Sequence, residues 1–80
     1  MDNNLLANIA RLHTTKMGAE RIARNLSLPT GDAVAWCRRA IESADDIIRR
    51  GKNWYIRAGD VTVTVNASSF TVITAHRRKT

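Results

Sequence analysis

Gly51-Lys52-Asn53-Trp54-Tyr55-Ile56-Arg57-Ala58-Gly59-Asp60-Val61-Thr62-Val63-Thr64-Val65-Asn66, continued by Phe70-Thr71-Val72-Ile73-Thr74-Ala75-His76, is the stretch whose reading decides the fold. Val61, Val63 and Val65 alternate with Thr62, Thr64 and Asn66. That period of two puts the valines on a buried face and leaves the other face polar. Asn53 to Arg57 is rich in aromatic and branched residues and reads as the preceding strand, joined through Ala58-Gly59-Asp60. Asn66-Ala67-Ser68-Ser69 is a turn with Asn in its favoured first place, and residues 70–76 form a third strand. In that strand Phe70, Val72 and Thr74 compete with Thr71, Ile73 and Ala75 for the inner face, and the pattern does not choose.

Upstream, the period changes from two to about 3.6. Leu5, Leu6, Ile9 and Leu12 predict a first helix, capped by Asp2 or Asn3. Ala19, Ile22, Ala23 and Leu26 predict a second, with Thr15 as its N-cap. Gly18 within it lowers helix propensity by about 1 kcal/mol, which suggests close packing there. Pro29 cannot continue that helix. A third runs from about Asp32 to Ser43, with Ala33, Trp36, Cys37, Ala40, Ile41 and Ala44 on its apolar stripe. Asp45-Asp46 ends it or opens a link, and Ile47-Ile48 anchors the link to the core. The expectation is one α+β domain over residues 1–80. Three N-terminal helices (a helical layer over 2–44) precede a three-stranded antiparallel meander over 51–76, and 77–80 form a basic tail.

Charge is unevenly spread. Residues 1–48 carry six Lys/Arg and six acids, whereas residues 49–80 carry seven Lys/Arg against Asp60 alone. The whole net charge of +6 therefore belongs to the meander and its flanks. A field of one sign favours a polyanion such as nucleic acid, or an acidic protein partner. The single cysteine, Cys37, allows no internal disulfide and fits a reducing cytoplasm. The N-terminus has no basic segment leading into an apolar run, so no signal peptide is expected. No apolar run reaches the ~20 residues of a membrane span.

No Walker loop, GxGxxG or HExxH occurs, and His13 and His76 are the only histidines, so no cofactor and no metal site are expected. The polar face of the meander is the main candidate site. Arg49, Arg50, Lys52, Tyr55, Arg57, Thr62, Thr64, Asn66, Arg77, Arg78 and Lys79 are the candidate nucleic-acid-binding residues. Such a face could hold a phosphate backbone and, with His76 as base and Arg57 or Arg77 as phosphate stabiliser, cleave RNA without metal. A solvated sheet face with threonines chosen for β propensity explains the same pattern. A second candidate, Ile22 to Val34, has helix-turn-helix spacing followed by a hairpin, as in a winged-helix DNA binder with Arg38 and Arg39 facing the groove.

Leu12-His13-Thr14-Thr15, Gly18-Ala19-Glu20-Arg21-Ile22 with Asn25-Leu26, Trp36-Cys37, Gly51-Lys52-Asn53-Trp54-Tyr55 and Ile73-Thr74-Ala75-His76 resemble a family of short bacterial proteins, domain of unknown function 3781. That resemblance implies no activity. Thr15, Gly18, Arg21 and Ile22, followed by strands ending in Ile73-Thr74-Ala75, are also similar to ribonuclease-toxin domains of the RelE/colicin type. Those domains often carry a helical His just before the position of Gly18, where this chain has Met17; His76, His13, Arg21 and Arg77 are then the catalytic candidates. The expected function is RNA binding before DNA binding, on a ribonuclease-like scaffold. The alternative is a protein-binding module, either a toxin partner or a small phage-type inhibitor. An open sheet edge could also pair with a second copy to make a homodimer.

Overall fold

A computed structural model describes residues 4–77. Two helices lie against one face of a four-stranded antiparallel sheet whose strand order is β1-β2-β3-β4. The strands are β1 (Asp46–Arg50), β2 (Asn53–Ala58), β3 (Val61–Asn66) and β4 (Val72–Arg77). The three-stranded expectation is therefore corrected to four. The missed strand is β1, in the segment read as a link with a core anchor. An edge strand buries little, and here only Ile47 is half-buried, so the adjacent Ile47-Ile48 gives no alternation to read. Its partner is set by a two-residue turn: Arg50 pairs with Asn53 across Gly51-Lys52, with Gly51 at φ +61°. Gly59, also at φ +61°, makes the same turn between β2 and β3. Glycine takes that first turn position without strain.

The first helix is also corrected. Asn4–Ala7 forms one short helix (α1), the chain kinks at Asn8 (φ −119°), and Ile9–Arg11 is 3-10. Leu5 and Leu12 are buried, but the kink turns Leu6 out to solvent. The proposed caps Asp2 and Asn3 lie outside the described residues. Helix α2 (Lys16–Leu26) starts at the expected cap, the Thr15 hydroxyl accepting from Gly18 N–H at 2.9 Å. It ends at Ser27 in the left-handed region, φ 57°. A 3-10 turn (Thr30–Asp32) leads into α3 (Ala33–Glu42). Ile22, Ala23 and Leu26 of α2 and Ala33, Cys37, Ala40 and Ile41 of α3 are buried, as are Trp54, Ile56, Val61, Val63 and Val65 on the inner face of the sheet.

The inner face of β4 is set by a bulge. Val65 pairs with Val72 but Thr64 pairs with Thr74, which leaves Ile73 as the extra residue. Val72 and Ala75 therefore both point inward, and no strict alternation could have predicted that. The strand starts at Val72 because Phe70 is at φ 58°. Its buried ring lies 5.5 Å from the Trp54 ring, centroid to centroid. The outer edge of β4 is covered by the segment before α2 and by Asn25 of α2. Val72 N–H donates to His13 O at 2.7 Å, the Thr14 hydroxyl donates to Val72 O at 2.8 Å, and Asn25 Nδ2 donates to Ala75 O at 3.2 Å.

Candidate nucleic-acid interface

Because the helices cover one face of the sheet, the residues of opposite parity form an outer face. The register arranges them in cross-strand rows. Asp46, Arg57, Thr62 and His76 make one row, and Ile48, Tyr55, Thr64 and Thr74 the next. Arg50, Asn53 and Asn66 make the third. Tyr55 is half-buried at the centre, with Thr64 beside it at 8% exposure. Asn53 Nδ2 donates to the Tyr55 hydroxyl at 3.5 Å, and Asn53 Oδ1 is buried without a partner among the described residues. A buried acceptor in that state favours a donor from outside. A shallow depression of about 310 Å³ lies against Ile48, Arg50 and Tyr55.

The structure gathers Arg50, Tyr55, Arg57, Thr62, Thr64 and Asn66 on this face, with Lys52 exposed in the adjoining turn. His76 and Arg57 share a row but are separated by Thr62, so roughly 10 Å of sheet lies between their strands. Arg77 has the opposite parity, pairing with Val61, and its guanidinium is 3.5 Å from Asp60 Oδ1. Arg49 also has the inner parity. It lies over the Trp54 ring at 5.5 Å, and its Nε donates to Gly51 O at 3.1 Å. Arg78 and Lys79 lie outside the described residues. Arg21 sits with exposed Met17 and Arg24 on the solvent side of α2, across the sheet from His76. Arg39 is exposed on α3, and Arg38 is half-buried, its Nε lacking a partner among the described residues.

Sequence reasoning missed one hydrogen-bonded chain. His13 Nδ1 is 2.9 Å from Arg11 O, and a carbonyl only accepts, so Nδ1 carries the proton. Nε2 lies 3.0 Å from the Thr71 hydroxyl, which lies 2.7 Å from the Ser69 hydroxyl. The Ser69 hydroxyl in turn donates to Asn66 Oδ1 at 3.2 Å. His13 and Thr71 are 58 residues apart, so no local spacing could announce the pair. The chain meets the outer face at Asn66, whose Oδ1 also accepts from the N–H groups of Ser68 and Ser69.

Among the described residues no group of three His, Cys, Asp or Glu could hold a metal ion. Cys37 is fully buried in α3, and burial pushes its thiol up to about 11, so it packs as an apolar residue and does not act as a nucleophile. No helix among the described residues is long and apolar enough to cross a membrane.

The model of the family described as "Protein of unknown function (DUF3781)" matches residues 6–76, from the end of α1 to the last outer-face residue of β4. The chain belongs to the DUF3781 family. Its Gly51-to-Tyr55 block is the β1–β2 turn and the start of β2, and its Ile73-to-His76 block is the bulge and the end of β4. No curated protein and no solved structure matches, so the likeness to ribonuclease-toxin domains rests on the sequence segments alone.

Proposed function

We propose that this chain is a small nucleic-acid-binding domain, RNA before DNA, that binds through the outer face of its sheet. One observation carries the reading. Neither helix covers that face, and around Tyr55 it bears Arg50, Arg57 and the Lys52 turn together with hydroxyls and amides, against the single acid Asp46 among the described residues. Cations in such an array neutralise phosphates and release counterions. A central aromatic ring offers a stacking platform to an unpaired base, and the hydroxyls and amides suit a ribose 2′-OH. Duplex DNA is usually read by an exposed basic helix in the major groove. The exposed side of α3 instead mixes Arg39 with Glu42, which favours the sheet over the winged-helix alternative.

The test is fluorescence anisotropy with labelled single-stranded RNA, duplex RNA and duplex DNA, in EDTA, over a salt series. Three face cations contributing about 0.7 each predict a log–log salt slope near about −2 on single-stranded RNA. Arg57→Ala should lower that slope by about 0.7. Arg49→Ala should leave it unchanged, because that guanidinium lies on Trp54. Absence of binding at low salt would end the reading. A denaturing gel of the same samples separates a binder from a metal-independent ribonuclease. Intact RNA means binding alone; cleavage lost in His76→Ala assigns His76 as the base.

A second reading has its own support. Ile48 is 38% and Ile73 39% exposed, and Ile48 adjoins Tyr55 on the face. An apolar centre with a basic rim also suits an acidic protein partner, of the kind a toxin partner or small inhibitor would meet. Ile73→Asp would abolish that association, while a phosphate-based complex would weaken without being lost.

A further inference from the structure

The two edges of the sheet are treated differently. The β4 edge is covered by His13, Thr14 and Asn25 through hydrogen bonds to Val72 and Ala75. Among the described residues, β1 pairs with β2 on one side and ends the sheet on the other. Four of its five residues are exposed, Ile48 among them. An exposed strand edge is a template for another strand.

The residues of β1 select the partner. Read antiparallel against itself and centred on Ile48, Asp46-Ile47-Ile48-Arg49-Arg50 is self-complementary. Ile48 meets Ile48 of the second copy on the two-fold axis. Each Asp46 lies opposite an Arg50, and each Ile47 opposite an Arg49. Opposite charges and paired branched residues are the favourable cross-strand combinations. The other registers are poorer. Centring on Arg49 sets arginine against arginine, and centring on Ile47 sets Asp46 against Ile48 and leaves Arg50 without an opposite charge. Edge arginines usually oppose self-pairing; Asp46 turns them into a register signal.

The parity of the strand supports the same register. Arg50 and Asn53 close a two-residue turn and Ile48 pairs with Tyr55, so the main-chain groups of Ile48 face β2. Alternate residues of β1 then direct their main-chain groups outward, which makes Ile48 against Ile48 a close, non-hydrogen-bonded pair flanked by ladder bonds.

We propose that two copies of this chain join through their β1 edges in this register to form a continuous eight-stranded antiparallel sheet. The two-fold axis stands perpendicular to the sheet, so both outer faces lie on the same side. At about 4.8 Å per strand the combined face is roughly 38 Å across. The dimer does not depend on the nucleic-acid reading, because its evidence is the edge and not the face.

The experiment is sedimentation equilibrium of the full chain from micromolar to millimolar concentration, with circular dichroism as the folding control. A dimer is expected, and Asp46→Arg, which opposes two like-charged pairs, should weaken it about ten-fold or more. The swap Asp46→Arg with Arg50→Asp restores the opposite pairs and should recover the dimer. Ile48→Cys should form an intermolecular disulfide on mild oxidation, with Cys37 buried and out of reach. A chain that stays monomeric at millimolar concentration overturns the proposal. So does a dimer indifferent to Asp46→Arg, or cross-linking through Ile47→Cys but not Ile48→Cys.

Discussion

Replacing Gly18 by Ala should destabilise the protein, although the position is helical and Ala is the better helix former. In an open helix the exchange gains about 1 kcal/mol. Here a Cβ built on Gly18 overlaps the Thr14 hydroxyl, and that hydroxyl donates to Val72 O at 2.8 Å, closing the edge of β4. The hydroxyl must leave its acceptor, which costs about 1 kcal/mol, and the crowding adds about 1–3 kcal/mol. The net expectation is a loss of about 1–3 kcal/mol, after the helix gain is subtracted. In an 80-residue chain that lowers Tm by several degrees. Removing the obstacle reverses the sign. Thr14→Ala alone should cost about 1 kcal/mol for the lost bond, and Gly18→Ala added to it should gain up to about 1 kcal/mol, with only the nearby Thr15 cap to adjust. The double-mutant cycle should therefore give a coupling of about 2–4 kcal/mol. Urea unfolding followed by tryptophan fluorescence measures all four proteins. If Gly18→Ala stabilises both backgrounds, or destabilises both equally, the Thr14–Gly18 contact does not hold the N-terminal segment on the sheet.

Two further outcomes follow from the core. The folded Cys37 thiol ionises at about 11 against an ordinary 9.0, so the unfolded chain releases its proton first and stability falls as pH rises from about 9 to about 11. The full effect is about 3 kcal/mol, and it should be missing from the pH dependence of Cys37→Ala measured by urea unfolding. Phe70, at φ 58°, packs between Trp54 and the Arg11 guanidinium, 4.5 Å from its centroid. Phe70→Ala should cost about 3–5 kcal/mol. Phe70→Gly should be no worse than Phe70→Ala, the reverse of their usual order, because glycine takes the left-handed conformation at about 1 kcal/mol less. Thermal melts that rank glycine clearly below alanine would refute the strained loop.

Much of the architecture was legible because it is written in periodic burial. Val61, Val63 and Val65 announced the central strand, Ile22, Ala23 and Leu26 the inner side of α2, and Ala33, Cys37, Ala40 and Ile41 that of α3. Thr15 as a cap and Gly59 in the connection before Val61 needed only local chemistry. The concentration of positive charge on the second half was also plain, and with it the choice of the sheet as candidate interface.

What sequence order could not decide are the features made by contact between distant residues. Strand β1 has one half-buried side chain and carries almost no periodic signal; pairing with β2 makes it a strand. The bulge at Ile73 breaks alternation, so only the register with β3 shows that Val72 and Ala75 share a face. Parity likewise separates Arg50 and Arg57 on the open face from Arg49 on Trp54 and Arg77 beside Asp60, four arginines that look alike in sequence. The His13–Thr71–Ser69 chain exists only because the N-terminal segment lies along the edge of β4. Local propensity and burial pattern act through neighbours in the chain, and these determined the elements. Strand register and edge coverage act through neighbours in space, and these decided which side chains face outward together.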